Sequence, residues 1–290
     1  MSDDSHASIG IAGAGRLAQA LGRLLRERGE PVVALASRNP DHAAAAARFI
    51  GPIEALPLSE LPAYASRILI AVSDDAIAAV AQELHRGGFT NGIALHVSGA
   101  SPVEILQALR DSGIACGSMH PLQTIATPEQ GVASLPGCSY AITGDAQAIE
   151  WAEEITGKLG GRVLRIPSDL RPLYHAAGVL ASNALTGILA ASVAIFQQCG
   201  IAERDALNAL APLSRTSLDN ALANGPVQAL TGPVVRGDAK TVASHLEALK
   251  TQPVEIQDLY RASARQLLTI ARARGAPEER IQAILQLIQE

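Results

Sequence analysis

The hydrophobic pattern at the start of the chain predicts a strand, a helix and a second strand in succession. An apolar run at residues 9–12 is followed at once by a turn that contains glycine. Apolar positions then recur from residue 17 to residue 25 at the spacing of one helix face. Gly29 and Pro31 end the helix, and residues 32–36 form another apolar run. The segment is therefore predicted to be a βαβ unit whose glycines lie at the first strand-to-helix turn.

The same alternation of apolar runs and amphipathic segments continues as far as residue 166. Further strands are predicted near residues 68–72, 93–97, 115–120, 140–143 and 163–166, and helices near residues 43–49, 75–86, 102–110 and 146–159. Strands that are apolar throughout are typical of a sheet covered on both faces. The pattern predicts an α/β fold with a doubly wound, mainly parallel Rossmann sheet and right-handed crossovers.

The pattern changes near Pro167. From there to Glu290 the sequence contains long helical stretches interrupted by glycine and proline, and no convincing strand. We therefore predict two domains, a Rossmann domain at residues 1–166 and an all-helical domain at residues 167–290, each long enough to have its own core.

Composition and charge narrow the classes of function. Hydrophobic residues make up 48% of the chain but aromatic residues only 3%, which favours close helix packing over a β-sandwich. The net charge is −5 and no run of Lys or Arg could follow a phosphate backbone, so no nucleic-acid partner is expected. Cys116, Cys138 and Cys199 lack the spacing of a disulfide framework or a zinc site. We expect no metal, and three buried thiols in a reducing cytoplasm.

Two segments bear on the location of the protein. Residues 1–5 are acidic and polar, the reverse of the basic start of a signal peptide. Residues 176–196 are long and apolar enough to cross a bilayer, but they are rich in Ala, carry Ser, Thr and Asn, and have no basic flank. We interpret them as a helix buried on all sides of a helical domain. A cytoplasmic protein with no membrane partner is expected.

The glycine turn has the context of a dinucleotide-binding fingerprint, with a strand before it and a helix after it. Gly13 permits the tight turn, Gly15 lets the backbone approach a pyrophosphate, and Ala18 occupies the third position. The pyrophosphate would lie at the positive end of the helix. The predicted cofactor-binding residues here are Gly13, Ala14, Gly15, Arg16 and Leu17. A tight turn that binds no ligand is the alternative.

The end of the second strand indicates which dinucleotide binds. An NAD site places Asp or Glu there to bind the ribose hydroxyls, whereas this chain has Ser37, Arg38 and Asn39. Arg38 could clamp a 2′-phosphate while Ser37 and Asn39 donate to it, and each such bond contributes about 1.5–3 kcal/mol. The predicted cofactor is therefore NADP; a solvated surface arginine is the alternative.

Two later strand ends point to the place of a nicotinamide ring. Val72 and Ser73 end one predicted strand, and Ser98 and Gly99 end the next. Gly99 would allow close approach of the backbone to a ligand. Ser73 could instead cap the helix that follows it.

Three further strings give the chain a family resemblance: HPLQT from residue 120, YHAA from residue 174 through Asn183, and TGPVVRGD from residue 231. The chain resembles a bacterial family of Rossmann-like proteins whose helical C-terminal domain has no known function. That family is similar to ketopantoate reductase, pyrroline-5-carboxylate reductase and the β-hydroxyacid dehydrogenases. The resemblance covers essentially the whole chain. It implies a helical domain like the C-terminal domain of 6-phosphogluconate dehydrogenase, a homodimer formed through that domain, and a cleft between the domains.

The chain departs from these relatives at one position. In ketopantoate reductase and the β-hydroxyacid dehydrogenases, a catalytic lysine lies four residues before an asparagine on the long helix. If Asn183 is that asparagine, Val179 stands in place of the lysine. The resemblance therefore does not supply a proton donor.

A polar stripe follows the helix predicted around residue 180. At about 100° per residue, His175, Ser182 and Thr186 share one face, with Asn183 at its edge. The functional interpretation makes His175 and Asn183 catalytic and brings Ser182 and Thr186 to the substrate. The alternative for Ser182 and Thr186 is helix packing through small residues at four-residue spacing.

His120, Arg236 and Asp238 are further candidates for the chemistry. His120 closes a predicted strand, and an ordinary pKa near 6.5 would suit proton delivery. Its alternative is a hydrogen-bonded histidine of the core. Arg236 and Asp238, in a loop rich in glycine and proline, could bind a substrate carboxylate or form an ion pair.

Together these features favour an NADP(H)-dependent oxidoreductase that transfers hydride to or from a small carbonyl or imine bound between the domains. A non-catalytic NADP-binding sensor or scaffold is the alternative, favoured by Val179. A methyltransferase that uses the same glycine turn is a third hypothesis, against which Arg38 and the helical domain argue.

Overall fold

A computed structural model describes residues 8–289 of the chain. It contains two compact units, Met1–Ser182 and Asn183–Glu290. The acidic start at residues 1–5, on which the expectation of no signal peptide rests, lies outside the described residues.

The first unit is built on an eight-stranded sheet in the order β3-β2-β1-β4-β5-β6-β7-β8. Neighbouring strands are parallel except for β6 and β7, which pair antiparallel. The prediction of a doubly wound, mainly parallel sheet is confirmed. The strands are β1 Ile9–Ala12, β2 Val32–Ala36, β3 Glu54–Leu56, β4 Arg67–Ile70, β5 Ile93–His96, β6 Ala115–Pro121, β7 Ser139–Gly144 and β8 Arg162–Arg165.

The central strands contain runs of apolar residues because both faces of the sheet are covered. In β4, Leu69 packs in one buried cluster, whereas Ile68 and Ile70 pack in a second cluster on the opposite face. The three buried residues of β4 are therefore all apolar, as the sequence pattern indicated, whereas Arg67 at the start of the strand is half-buried.

Helices cover both faces of this sheet. They are α1 Arg16–Glu27, α2 Pro40–Ile50, α3 Leu61–Tyr64, α4 Ile77–Arg86, α5 Gln107–Arg110, α6 Pro128–Ser134, α7 Ala146–Lys158 and α8 Arg171–Ala181. Helix α1 lies close to the sheet at Gly22, where an added Cβ would come within 2.7 Å of Ile11 Cδ1. The N-terminus of α1 lies at the end of β1 because only residues 13–15 connect the two elements.

The first unit continues beyond the domain boundary predicted after residue 166. Residue 166 follows the end of β8, but α8 still belongs to the first unit. The physical reason is Arg171, whose buried guanidinium donates to the backbone carbonyl of Ser101 at 3.0 Å and so holds the start of α8 against the loop that follows β5.

The second unit is all-helical over its described residues, as predicted. Its helices are α9 Asn183–Gln198, α10 Glu203–Asn224, α11 Pro226–Ala229, α12 Pro233–Arg236, α13 Ala239–Leu249, α14 Val254–Ala273 and α15 Glu278–Gln289. Its main core joins α12, α13, α14 and α15 through side chains such as Val242, Leu268 and Ile284.

Two expectations about burial are wrong. Within the described residues one stretch, Ser168–Gln198, is long and apolar enough to cross a membrane by length and composition, but only 6% of its apolar window is buried. It is therefore not a helix buried on all sides, and Val193 is the buried residue of α9. Likewise Cys116 is buried, but Cys199 is exposed, because it follows the last turn of α9.

Candidate functional site

The strand order creates a crevice at the carboxyl edge of the sheet. Strands β2 and β3 are added on one side of β1, whereas β4 to β8 are added on the other. The strand order therefore reverses between β1 and β4. Ligands of doubly wound sheets bind at such a reversal. A cavity of about 850 Å³ lies here and is lined by residues that follow β2, β1, β4, β5 and β6. All of its lining residues belong to the first unit.

The glycine turn forms one wall of this cavity. Gly13 has φ +125°, and a Cβ added to it would lie 2.1 Å from the carbonyl oxygen of Ala71. Gly15 precedes α1 and has open space where a Cβ would be, with no atom within 4 Å. Gly13 is thus required by the fold, whereas the space at Gly15 is available to a ligand at the helix N-terminus.

The other residues predicted at this turn also line the cavity: Ala14, Arg16 and Leu17. The guanidinium of Arg16 donates to the backbone carbonyls of Ile125 and Ala126, at 3.3 and 3.1 Å. Arg16 therefore ties the loop after β6 to the first turn of α1.

The residues after β2 separate into two roles. Ser37 and Arg38 line the cavity, and no hydrogen bond or ion pair holds the exposed Arg38 within the described chain. Asn39 is the N-cap of α2, where its side-chain oxygen accepts from the backbone amides of Asp41 and His42 at 2.9 and 3.2 Å. His42, which the sequence analysis did not select, also lines the cavity.

The ends of β4 and β5 form the opposite part of the cavity, which is lined by Val72, Ser73, Ser98 and Gly99. Ser73 occupies an N-cap position, but its side chain makes no capping hydrogen bond. The Ser98 hydroxyl is bound within its own loop, because it accepts from the amide of Ser101 at 3.0 Å. The Ser98 hydroxyl thus stabilises its own loop, whereas the Ser73 hydroxyl does not cap the helix that follows it.

A pair of histidines lies directly over Gly99. A Cβ at Gly99 would come within 2.5 Å of His175 Cδ2 and 2.9 Å of His120 Nε2, so only glycine leaves room for both rings. The ring centroids of His120 and His175 are 5.9 Å apart, and both residues line the cavity. The structure thus brings together two of the three residues predicted to be catalytic.

The environment of His120 disfavours its charged form. Burial, the neighbouring His175 and the charge of Arg171 lower the pKa of His120 from the ordinary value of 6.5 to about 4. Its Nδ1 lies 3.0 Å from the hydroxyl of Tyr174. At neutral pH the imidazole is therefore neutral and can donate a hydrogen bond through one nitrogen only.

Arg171 is a functional-site residue that the sequence analysis missed. It is fully buried and donates to the carbonyls of Ser98 and Ser101, and to the Thr143 hydroxyl at 3.5 Å. No carboxylate pairs with it among the described residues, and burial lowers the pKa of its guanidinium. A signal was present in the sequence, because Arg171 is the last charged residue before the long uncharged stretch that ends at Glu203.

His96 was also missed. Its side chain is fully buried at the end of β5, and its Nδ1 accepts from the backbone amide of Ser98 at 3.2 Å. Burial and the charge of Arg171 lower the pKa of His96 to about 3. His96 is thus a neutral histidine that holds the loop after β5, against which His120 and His175 pack.

The predicted stripe on one continuous helix is wrong. Helix α8 ends at Ala181, and Ser182 has φ −129° and ψ −71°. The Ser182 hydroxyl donates back to the carbonyl of Gly178 at 2.8 Å, a bond that competes with helix continuation. Angles counted from His175 therefore do not extend past Ser182. Asn183 and Thr186 belong to α9 of the second unit, where both are exposed.

The loop at residues 231–238 has a structural explanation. Asp238 caps α13, where its carboxylate accepts from the amide of Thr241 at 3.0 Å and from the Thr241 hydroxyl at 2.7 Å. Gly237 has φ +68° at the end of α12, and Arg236 is exposed. A substrate role for Arg236 and Asp238 remains a prediction.

Comparisons with known proteins agree with this architecture. Residues 2–121 match the family model of a Rossmann-like domain, and residues 138–267 match a domain of unknown function, DUF2520. The chain is therefore a Rossmann-type α/β protein. It combines a Rossmann-like domain with a DUF2520 domain, which confirms the resemblance found in the sequence. No curated protein matches the chain.

Solved structures show the same fold at low sequence identity. Protein BF3122 of Bacteroides fragilis, a proposed NADP oxidoreductase, is 22% identical over 90% of this chain and 97% of its own, with a TM-score of 0.74. Protein TM1727 of Thermotoga maritima is 24% identical over 92% and 99%, also with a TM-score of 0.74. The reductive aminase of Aspergillus terreus, in complex with NADPH and ethyl-5-oxohexanoate, is 16% identical over 98% and 93%, with a TM-score of 0.62.

Proposed function

We propose that the protein is an NADP(H)-dependent oxidoreductase acting on a small carbonyl or imine compound. The observation that carries this proposal is one continuous cavity that extends from the open amides at Gly15 to the histidine pair over Gly99. A dinucleotide requires this combination of an anion site and a distant polar site. The NADPH-bound fold neighbour lends further support.

The residues present fit an NADP molecule better than NAD. The cavity wall after β2 offers Ser37, Arg38 and His42, and Arg38 has no other partner in the described chain. The first carboxylate after β2 is Asp41, which does not line the cavity. Binding of NAD ribose hydroxyls would need a carboxylate there.

At the other end of the cavity, the chain would hold the substrate and deliver a proton. Bound NADPH supplies the hydride, so the protein must position the acceptor and neutralise the oxygen or nitrogen that gains charge. His120 and His175 are the cavity-lining histidines beside Gly99. In this proposal the neutral imidazole of His120 donates a hydrogen bond to the reacting carbonyl.

Cofactor binding is tested by titrating the full-length protein, stripped of bound nucleotide, with NADP⁺ and NAD⁺. Arg38→Ala should weaken NADP⁺ binding by about tenfold to a hundredfold, the range expected for a lost bond to a charged group, and leave NAD⁺ binding unchanged. Arg48→Ala is the matched control, because Arg48 is an exposed arginine of α2 that does not line the cavity. No affinity for either dinucleotide would overturn the proposal.

Catalysis is tested separately by following NADPH oxidation with a panel of 2-oxo acids and cyclic imines. A non-catalytic NADP sensor is the second candidate. It is favoured by Val179, which stands where related reductases carry a lysine if Asn183 corresponds to their asparagine. Tight NADPH binding without turnover on any compound of the panel would favour the sensor. Turnover that is lost in His120→Gln, with NADP⁺ binding retained, would favour the reductase.

We also propose that the protein forms a homodimer through its helical unit. Helices α9 and α10 leave large apolar side chains exposed, including Leu213 at 63% and Leu222 at 76%. Apolar surfaces of this kind are typical of protein interfaces. Light scattering during size exclusion should give about twice the chain mass of 30.0 kDa. A particle of one chain mass would overturn the proposed dimer.

The absence of a nucleic-acid partner and the cytoplasmic location remain predictions.

A further inference from the structure

Tyr174 makes a contact that the proposed function does not yet use. Its hydroxyl lies 3.0 Å from His120 Nδ1, and the two rings meet edge to face with centroids 5.8 Å apart. Tyr174 is half-buried in α8, one residue before His175. The Tyr174 hydroxyl is therefore hydrogen-bonded to a histidine that lines the cavity.

Both groups of this hydrogen bond are neutral at neutral pH. Burial raises the pKa of Tyr174 to about 12, so the phenol keeps its proton at neutral pH. His120 is neutral at the same pH, because its pKa is lowered to about 4. A neutral phenol can donate to an unprotonated Nδ1, and in that arrangement the imidazole proton is on Nε2.

The nitrogen beside Gly99, at the proposed reaction site, is Nε2. His120 Nε2 lies within 2.9 Å of the position that a Cβ on Gly99 would take, and both residues line the cavity. Nδ1 is the nitrogen that contacts Tyr174. With the imidazole proton on Nε2, a substrate oxygen beside Gly99 would therefore meet an N–H donor.

We propose that Tyr174 is a positioning residue that holds His120 as the Nε2–H tautomer and replaces the proton that His120 gives to the substrate. This inference rests on the proposed reductase function. When the carbonyl carbon gains hydride from NADPH, its oxygen takes the proton from Nε2 as the Nε2–H bond breaks. The Tyr174 O–H bond breaks in turn and its proton forms a bond to Nδ1. After the product leaves, Nε2 takes a proton from water and Nδ1 returns its proton to the phenolate, which restores the Nε2–H tautomer.

Charges around Tyr174 make this transfer possible. The buried guanidinium of Arg171, one turn earlier on α8, has no carboxylate partner among the described residues. Its charge lowers the pKa of Tyr174 against the effect of burial, whereas Cys138 acts weakly in the opposite direction. His175 and Arg171 also face His120 and disfavour a cationic imidazole. The phenolate would therefore form beside a fixed positive charge.

The tautomer can be measured on the full-length protein without a substrate. Long-range ¹H–¹⁵N correlation spectra of histidine-labelled protein distinguish Nε2–H from Nδ1–H, and the His120 signals among the seven histidines are identified by their loss in His120→Gln. We expect the Nε2–H form in the unmodified protein and a mixture of the two forms in Tyr174→Phe. An Nδ1–H form in the unmodified protein, or an unchanged spectrum in Tyr174→Phe, would overturn the inference.

A matched control is present in the second unit, where His245 Nδ1 lies 2.8 Å from the hydroxyl of Tyr260. Tyr260→Phe should change the His245 signals and leave those of His120 unaltered. If Tyr174→Phe does not fold, the spectrum of the unmodified protein still decides the tautomer. NADP⁺ titration of the unmodified protein is an independent measurement. If the unmodified protein does not bind NADP⁺, the reductase proposal is refuted. If it binds NADP⁺ but His120 carries its proton on Nδ1, only the role of Tyr174 is refuted.

Discussion

The guanidinium of Arg171 donates a hydrogen bond to the carbonyl oxygen of Ser98, across 73 residues of sequence. A second bond to the carbonyl of Ser101 makes Arg171 a clamp between α8 and the loop after β5. Tyr174 and His175 follow Arg171 by about one turn of α8. His175 lies over Gly99 and Tyr174 contacts His120, so the clamp holds the helix that carries both. The proposed reacting end of the cavity thus depends on one buried arginine.

Loss of this clamp should destabilise the protein. Arg171→Ala leaves two loop carbonyls without their donor, and we expect the free energy of unfolding in urea to fall by about 3 kcal/mol. Arg171→Lys should lower the free energy of unfolding less, because lysine keeps the positive charge. It should still lower it, because lysine lacks the planar guanidinium that donates to both carbonyls. Arg204→Ala, at an exposed position of α10, is the control and should change little. An unfolding curve of Arg171→Ala that matches the control would contradict this role.

The two glycines of the first turn should respond differently to the same substitution. Gly13→Ala forces a Cβ toward the Ala71 carbonyl at φ +125°, and we expect it to destabilise the fold by about 1–3 kcal/mol. Gly15→Ala has open space and an ordinary φ of −73°, so thermal stability should be unchanged. Its methyl group would occupy the pyrophosphate position, and NADP⁺ affinity should fall at least about tenfold. Full affinity in Gly15→Ala would show that no pyrophosphate approaches there.

Stability should decrease in mild acid because of the buried histidines. The pKa of His96 is lowered from the ordinary value of 6.5 to about 3, so the unfolded chain binds more protons between these values. The contribution of His96 is present above about pH 6.5 and is lost as the pH falls toward 3. The slope is at most about 1.4 kcal/mol per pH unit for one histidine. His120 acts in the same direction down to about pH 4.

This pH dependence is measured by urea unfolding of the full chain at pH 7, 5.5 and 4. His96→Asn keeps an acceptor for the Ser98 amide but does not titrate, so its stability should fall less steeply with acid. His42→Asn, at an exposed position of α2, should retain the full slope. Equal slopes for all three proteins would exclude His96 as the titrating group.

The sequence was sufficient to predict features that depend on local spacing. The βαβ unit, the turn at Gly13 and Gly15, and the polar residues after β2 follow from periodicity and from the backbone freedom of glycine. The two histidines over Gly99 were predicted as single candidates, one from a strand end and one from the polar stripe on a helix. Their proximity was not predicted, because His120 and His175 come from different elements.

Contacts between distant segments could not be predicted from spacing. The partners of Arg171 lie about 70 residues earlier in the chain, and no periodicity connects them. The break at Ser182 was missed because an uncharged, alanine-rich run fits an unbroken helix equally well. Asn39 was assigned to the cofactor, although its place before Pro40 also fits a helix N-cap, which is its observed role.

Gly99 has a consequence for how the protein could lose its chemistry. Both imidazoles pack against the backbone of Gly99, where no side chain stands between them and the loop. Any larger residue at this position would therefore displace His120 and His175 together. The sheet, the glycine turn and the wall after β2 do not depend on that position. If the proposed function is right, a single codon change at Gly99 would therefore turn a descendant of this chain from a reductase into an inert nucleotide carrier, with the rest of its architecture retained.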